Sequence, residues 1–193
     1  MPRFSEQERN RINQCLLEEG EHLFTAYGIR KVTIDDIVKA VSIAKASFYK
    51  FYEGKEYLFL EIAQKRQKEI FDVLEHTLED SKGKADGEKI KLVFYTMSVL
   101  VRKYPLLTSI DKETAELIAR KVSPERLAEY SKQGLDAVKV MQNHGIKFCQ
   151  KTEVVSKVFQ TLYLAWISLQ EQPEEMQKQV IDIMLEGVIE QIV

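Results

Sequence analysis

The chain has 193 residues, with 28 Lys and Arg against 30 Asp and Glu, which gives a net charge of −2. This length predicts about one domain, or a small module joined to a larger one, and the charge excludes a wholesale nucleic-acid coat protein. Hydrophobic residues make up 45% and charged residues 30%, as in folded globular chains. No apolar run reaches the length of a membrane span, and the polar N-terminus favours a cytoplasmic protein.

Glycine and proline are rare, at 8 and 4 residues, and long stretches contain neither. Those stretches are rich in Leu, Ala, Lys, Glu and Gln, which favour helices, and the alternation typical of strands is absent. The sequence therefore predicts an all-α fold of about nine helices.

The first predicted helix begins near Ser5 and ends before Gly28. Ser5 and Glu8 match a capping box, and apolar residues recur at helical spacing after it. Gly28 is a typical residue at a helix C-terminus, because it adopts left-handed backbone conformations without a steric penalty.

A pair of short helices separated by a tight break comes next. The first follows Thr33, a suitable N-cap, and the second covers residues 45–51 and would bury Phe48 together with Phe51 or Tyr52. Two short helices joined in this way indicate a helix-turn-helix.

The rest of the chain is predicted as longer helices separated by proline, glycine and polar residues. Their predicted ranges are 55–80, 88–103, 111–121, 124–147, 153–171 and 174–192. Charge follows the same organisation, since residues 30–55 carry six basic and three acidic side chains in a mildly acidic chain. Such a basic excess is expected of a small nucleic-acid docking surface, although a fluctuation of this size is also ordinary.

The stretch TIDDIVKAVSIAKASFYKFYEGKEYLF, residues 33–59, resembles the DNA-binding domain of the TetR family of bacterial transcriptional regulators. Outright matches to the family pattern are Thr33, Ile37, Ala40, Lys45, Phe48, Tyr49, Lys55, Glu56 and Leu58, and near matches are Val41, Ile43, Ser47, Phe51 and Tyr52. Ser42 departs from the pattern, because the family has glycine there and a left-handed non-glycine costs about 1 kcal/mol or more. Ala44 also departs, because the family has a capping serine worth about 1 kcal/mol.

The candidate DNA contacts lie on and around the second short helix. Phe48 has to face inward to pack this helix, which turns small and basic neighbours outward, as a helix in the major groove requires. The residues predicted to contact DNA are Thr33, Lys45, Ala46, Ser47, Tyr49, Lys50 and Lys55. The resemblance implies phosphate contacts at Thr33, Tyr49 and Lys55, and base contacts at the other four. Ordinary packing of the tyrosine and solvation of the lysines are the alternatives.

The predicted domains are residues 1–54, a helix-turn-helix DNA-binding domain, and residues 55–193, a helical ligand-binding and dimerisation domain. The resemblance implies a homodimer on a palindromic operator in double-stranded DNA, a pocket for a small-molecule effector, and a helix from Lys55 that responds to the effector. Candidate pocket residues are Phe94, Met97, Tyr130, Met141, Tyr163 and Trp166. Candidate dimer residues are Phe159, Leu162, Trp166, Leu169, Met184 and Val188. The alternative for these apolar sets is an ordinary core.

The predicted function is a dimeric transcriptional regulator, a repressor released from its operator by a small apolar ligand. The alternatives are a regulator controlled by a protein partner, an activator, and a helical ligand-binding or scaffold protein whose DNA-binding module has decayed. No catalytic residue, metal or other cofactor is expected, because the three histidines lie far apart in sequence and the two cysteines form no ligand pattern.

Overall fold

A computed structural model of the chain describes residues 5–132 and 137–193. Within these ranges the fold is all-α, with no strand. The helices are α1 (Glu6–Tyr27), α2 (Ile34–Val41), α3 (Lys45–Phe48), α4 (Lys55–Asp80), α5 (Asp86–Lys103), α6 (Pro105–Thr108), α7 (Lys112–Lys121), α8 (Pro124–Lys132), α9 (Ala137–Asn143), α10 (Thr152–Ser168) and α11 (Glu174–Ile192). None of the described helices is long and apolar enough to cross a membrane.

The all-α prediction is confirmed, and the described ranges hold eleven helices where about nine were predicted. One addition is α6, which Pro105 opens at a position where a missing backbone N–H costs nothing. The count also includes α8 and α9, which lie on either side of residues 133–136; these four residues of the predicted 124–147 helix lie outside the described ranges, and α9 ends at Asn143.

The described residues form two compact units. The first unit comprises those of Met1–Lys68 and Lys103–Gly134, and the second comprises those of Glu69–Arg102 and Leu135–Val193. Helix α4 contributes residues to both, because it is continuous from Lys55 to Asp80. The domain boundary predicted between residues 54 and 55 concerns function and stays a prediction.

The first unit is built on one hydrophobic core that holds α1, α2, α3 and the start of α4. Its fully buried large side chains include Leu16, Phe24, Ile37, Phe48, Leu58 and Phe59. Gly20 lets α1 approach α4 closely, since a Cβ there would lie 2.9 Å from Leu58 Cδ2. The aromatic rings of Phe24 and Phe59 meet edge to face at 5.5 Å between centroids. Helix α3 is packed onto this core through Phe48.

Helix ends in the first unit follow the sequence signals. The Ser5 side chain accepts a hydrogen bond from the Glu8 backbone N–H at 3.2 Å, and Gly28 follows α1 with φ of 78°. The predicted positions of both ends of α1 are confirmed. Of the predicted capping box the structure shows the Ser5 bond, and Gly28, with ψ of 148°, has a positive φ outside the left-handed helical region.

The second unit has its own apolar cluster, formed by α5, α10 and α11. Its buried members are Phe94, Leu162, Trp166, Ile181 and Leu185. Polar bonds join the same helices at their margin, where the Tyr95 hydroxyl donates to Asp182 at 2.8 Å.

Candidate nucleic-acid interface

The turn between α2 and α3 is closed by a residue in the left-handed region. Ser42 has φ of 57° and ψ of 43°, and Ser42 is the one non-glycine residue with positive φ in the described ranges. The Ile43 N–H donates to the Val38 carbonyl at 3.0 Å, so the turn is tight despite the missing glycine. Ser42 therefore adopts the left-handed conformation that is costly for a residue other than glycine, and the turn carries a strain of about 1–2 kcal/mol.

Helix α3 is short and packs through one side chain. Phe48 has no exposed surface, and its ring meets that of Tyr49 edge to face at 5.7 Å. Ala44 occupies the N-cap position in extended conformation and makes no capping hydrogen bond through its side chain. The inward orientation predicted for Phe48 is confirmed, and the helix lacks the usual cap.

Burial of Phe48 turns the neighbouring side chains, on α3 and directly after it, outward. Ala46 and Lys50 are exposed, Tyr49 has 52% of its surface exposed, and Ser47 is half-buried. A surface with a small group, an aromatic hydroxyl and a cation can approach base edges and phosphates.

Lys45 is held by a neighbouring carboxylate. Its Nζ donates to Asp35 Oδ2 at 2.9 Å, which joins α3 to the first turn of α2. This hydrogen bond raises the pKa of Lys45 above its ordinary value. Both side chains are exposed, so the ion pair is weak.

Thr33 begins α2 with a complete capping box. Its Oγ1 accepts from the Asp36 N–H at 3.2 Å and donates to Asp36 Oδ2 at 2.7 Å, while the Thr33 N–H donates to the same carboxylate at 2.8 Å. The hydrogen bonds from Thr33 lower the pKa of Asp36. Thr33 is exposed, so a phosphate can reach this helix end.

Lys55 joins the start of α4 to the segment between α1 and α2. Its Nζ donates to the carbonyls of Ile29 at 2.7 Å and Val32 at 2.6 Å, and the residue is half-buried. Sequence reasoning missed this role, because both acceptors are backbone atoms more than twenty residues away, which no motif specifies.

A groove beside the start of α2 adds two lysines to this face. It has a volume of about 640 Å³ and is lined by Leu23, Tyr27, Lys31, Val32, Asp36, Lys39 and Ala40. Lys31 and Lys39 are exposed and belong to the basic stretch noted in the sequence, but they were not predicted as contacts. Arg30 of the same stretch is paired with Asp111 and Glu113 near the start of α7.

Comparison with known proteins identifies this geometry. Residues 16–62 match the model of a family described as bacterial regulatory proteins, tetR family. This match covers α2, α3 and every residue predicted to contact DNA. Over these residues the chain is similar to the tetR family of bacterial regulatory proteins.

Proteins whose similarity extends beyond residues 16–62 are also regulators by their names. The HTH-type transcriptional regulator YhgD of Bacillus subtilis is 26% identical over 159 residues, which cover 80% of this chain and 81% of that protein. A TetR family transcription regulator of Marinobacter aquaeolei has a TM-score of 0.65 at 15% identity, with 94% of this chain and 97% of that chain covered. The fatty acid degradation regulator FadR of Bacillus halodurans has a TM-score of 0.64 at 13% identity, with 95% and 97% covered. At these identities the two structures show the shared fold.

Three of the predicted pocket residues come together in the second unit. Phe94 and Trp166 are buried in one cluster, and Tyr163 packs against it with its ring 5.5 Å from that of Trp166. The Tyr163 hydroxyl is buried without a hydrogen-bond partner, and burial raises the pKa of Tyr163 to about 12. Met97 on α5 is half-buried and Met141 on α9 is buried.

Tyr130, a further predicted pocket residue, belongs to the first unit. Its hydroxyl accepts from Gln67 Nε2 at 2.8 Å, and burial raises the pKa of Tyr130. The Gln67 Oε1 atom is buried without a partner. Gln67 therefore presents an unpaired buried acceptor beside the half-buried Tyr130.

The predicted dimer residues lie around the apolar cluster of the second unit. Leu162 and Trp166 are buried in it, and Phe159, Leu169, Met184 and Val188 pack partly buried against it. Large apolar side chains that point to solvent on α10 and α11 are Val154, Leu164, Ile167, Met176 and Ile183. Leu164 and Ile183 are 60% and 71% exposed, so the open face of these helices consists of residues next to the predicted ones.

Proposed function

We propose that the chain is a dimeric repressor that binds double-stranded operator DNA through α3 and is released by a small apolar ligand. The observation that carries the proposal is the outward presentation of Ala46, Tyr49 and Lys50 above the fully buried Phe48, at the second helix of a helix-turn-helix. This presentation is what a recognition helix needs in the major groove.

The proposed DNA contacts divide by chemistry. Ala46 is small and exposed, which suits contact with a thymine methyl group, and Ser47 offers a hydroxyl. Lys45 and Lys50 would supply cations for guanine edges or phosphates, and for Lys45 the DNA competes with Asp35. Thr33, Tyr49 and Lys55 are the proposed phosphate contacts. For Lys55 the contact competes with the two carbonyls that its ammonium already binds.

The proposed dimer uses the open face of α10 and α11. Exposed Leu164, Ile167 and Ile183 form an apolar surface that a second copy would cover, with the predicted residues packed directly beneath. A two-fold axis would place two α3 helices about 34–36 Å apart, one turn of DNA. The dimer and its palindromic operator would then both have two-fold symmetry.

The proposed effector is apolar with a polar end, and it binds in the domain formed by residues 55–193. Support comes from the aromatic cluster around Trp166 and from the unpaired Tyr163 hydroxyl, which would bond to the polar end. FadR of Bacillus halodurans is by its name a regulator of fatty acid degradation, and a fatty acid derivative fits this chemistry. Helix α4, continuous from Lys55, would respond to the ligand in the cytoplasm, where the operator lies.

The DNA-binding proposal is tested by selecting genomic fragments of the host with the purified full chain near physiological salt. Enrichment of a site with two symmetric halves is expected, and Tyr49→Ala should abolish it while the fold is retained, because Tyr49 is half exposed. A folded chain that enriches no fragment would contradict the proposal. It would favour a decayed module, for which the strained Ser42 and uncapped Ala44 are the specific observations.

The dimer proposal is tested by sedimentation of Ile183→Glu against Val99→Glu. Both residues are strongly exposed, at 71% and 67%, so neither change disturbs a core. Only Ile183→Glu should yield monomers, because it places two charges at the symmetric contact. A dimer that survives this change, or monomers of the unaltered chain, would refute the proposed interface.

Ligand binding is tested with the emission of Trp166, the single tryptophan of the chain. Fatty acids and their thioesters are the probes, and an expected ligand shifts the emission and weakens DNA binding at the same concentration. Met141→Trp should block the effect on DNA binding by filling a buried position while sparing the DNA-binding domain. A response of DNA binding that this variant leaves unaltered would move the pocket elsewhere.

A further inference from the structure

Two carboxylates and a histidine meet in the second unit, at a position that the proposed function does not use. Glu75 and Glu79 lie one turn apart on α4, which places both on one face of the helix, and His144 follows α9. One ligand atom from each of the three residues lies within 4.8 Å of the others. The three groups thus converge from two helices that are distant in sequence.

His144 is oriented with one ring nitrogen directed at the carboxylates. Its Nδ1 lies 3.0 Å from the Val140 carbonyl oxygen, an acceptor, so the proton of a neutral ring resides on Nδ1. The lone pair is then on Nε2, which lies 3.6 Å from Glu75 Oε2. Histidines that bind metals are usually oriented by such a bond from the second nitrogen to a carbonyl.

The spacing of these atoms fits a metal of zinc size. Two ligand atoms at 2.0–2.1 Å from a tetrahedral ion are separated by about 3.4 Å, close to the distance between His144 Nε2 and Glu75 Oε2. The side chains of His144 and Glu75 are 16% and 33% exposed, so both are partly withdrawn from water. Glu79 is exposed and can rotate to close the site, leaving one position for water.

We propose that Glu75, Glu79 and His144 bind a divalent transition-metal ion, of the class of Zn²⁺. One imidazole with two carboxylates suits Zn²⁺, Co²⁺ or Ni²⁺, whereas Mg²⁺ and Ca²⁺ prefer oxygen ligands alone. His76 adjoins the site, with Nδ1 3.7 Å from Glu79 Oε2, and is a fourth group within reach. The proposal is independent of operator and effector, and it replaces the expectation from the sequence that the chain holds no metal.

The site is tested by calorimetric titration of the metal-free full chain with Zn²⁺, and by the visible absorption of the chain with Co²⁺. One ion per chain is expected, with no comparable binding of Mg²⁺. His144→Gln should weaken Zn²⁺ binding at least about 10-fold, the lower range for loss of a group that merely orients a ligand. Bound Zn²⁺ should also raise the melting temperature of the unaltered chain, because it binds the folded state.

Controls separate this site from other metal binding. His22→Gln removes an exposed histidine of α1 and should leave the affinity unchanged, and Cys149→Ser tests the exposed thiol. Glu79→Gln changes an exposed residue, so it should weaken Zn²⁺ binding even if His144→Gln fails to fold. Absence of Zn²⁺ binding, or binding that both site variants retain, would show that His144 and Glu75 form an ion pair only.

Discussion

Ser42 closes the turn before α3 in a conformation that glycine adopts without a steric penalty. Ser42→Gly should therefore raise the free energy of unfolding by about 0.5–1 kcal/mol, the strain relieved less the entropy that glycine loses on folding. Urea denaturation of the full chain measures the change. Ser156→Gly, inside α10, is the matched control and should lower stability by about 0.5 kcal/mol. Equal losses in both variants would show that the turn is unstrained.

At the proposed DNA interface, Asp35 would compete with DNA for Lys45. Asp35→Asn should strengthen DNA binding about 2- to 5-fold, because it frees the lysine from a weak, exposed ion pair and removes a negative charge from the proposed docking face. Fluorescence anisotropy with the enriched operator fragment measures the affinity. Asp80→Asn, at the exposed end of α4, makes the same charge change outside the helix-turn-helix and should have a smaller effect. Weaker binding by Asp35→Asn would mean that the pair positions Lys45 for DNA.

Whether a residue-scale contact could be predicted depends on how far apart in sequence its partners lie. The Thr33 cap and the burial of Phe48 were predictable, because each depends on neighbours within four positions and on the helical period. The bonds of Lys45 to Asp35 and of Lys55 to two carbonyls were not, because their partners lie 10 to 26 residues away. A motif specifies which residues recur, whereas partners of long side chains depend on how the helices pack.

Helices α1 and α4 pack closely at Gly20, where a Cβ would lie 2.9 Å from Leu58 Cδ2 and 3.2 Å from Ile62 Cδ1. Gly20→Ala should cost about 1–3 kcal/mol through overpacking, less the roughly 1 kcal/mol that alanine gains in a helix. Leu58→Val removes the crowding atom, so the double variant should be more stable than the sum of the single changes predicts. Urea denaturation of the four proteins measures this coupling, and strict additivity would show that the two positions do not touch.

Tyr163, in the apolar cluster of the second unit, should make the free energy of unfolding depend on pH. Burial raises its pKa to about 12 from an ordinary value of about 10, so the unfolded chain loses this proton first. The stability contributed by the protonated hydroxyl is complete below pH 10 and is lost as the pH rises toward 12. Tyr163→Phe should thus keep its stability better between pH 10 and 12, and should lose none at pH 7, because the hydroxyl has no partner.

Urea denaturation at a series of pH values measures the effect of Tyr163→Phe. Tyr27→Phe, on an exposed tyrosine of α1, is the control and should follow the unaltered chain throughout. Identical pH dependence for Tyr163→Phe and the unaltered chain would place this hydroxyl in water.

Element boundaries were predictable where glycine, proline or caps mark them. The predicted 55–80 and 174–192 agree with Lys55–Asp80 and Glu174–Ile192. The pattern of α10 was less decisive, because its apolar residues cover more than half of its circumference. A periodicity alone does not determine which part of such a surface faces the chain's own core, and the structure turns Leu162 and Trp166 inward and Leu164 outward.

At the scale of the whole molecule, the fold and family follow from local patterns, and the metal cluster does not. The helix-turn-helix is contiguous in sequence, so its pattern was sufficient to predict an all-α fold and the similarity of residues 16–62 to the TetR family. Glu75 and His144 are separated by the end of α4 and five further helices, and their meeting depends on tertiary packing. For the same reason the sequence predicts an apolar pocket and a dimer without deciding which side chains would form them.

The central claim, that α3 is the DNA-docking face, is tested most directly by the salt dependence of operator binding. The measurement compares the unaltered chain with Lys45→Ala/Lys50→Ala between about 50 and 200 mM salt. Lys82→Ala/Lys84→Ala removes the same charge from the exposed connection between α4 and α5 and is the matched control.

We expect the α3 variant to bind more weakly than the unaltered chain. Its slope of log affinity against log salt should be shallower by about 0.9 for each phosphate that it no longer neutralises. The control variant should keep the affinity and the slope of the unaltered chain. An α3 variant with undiminished affinity and an unchanged slope would contradict the claim.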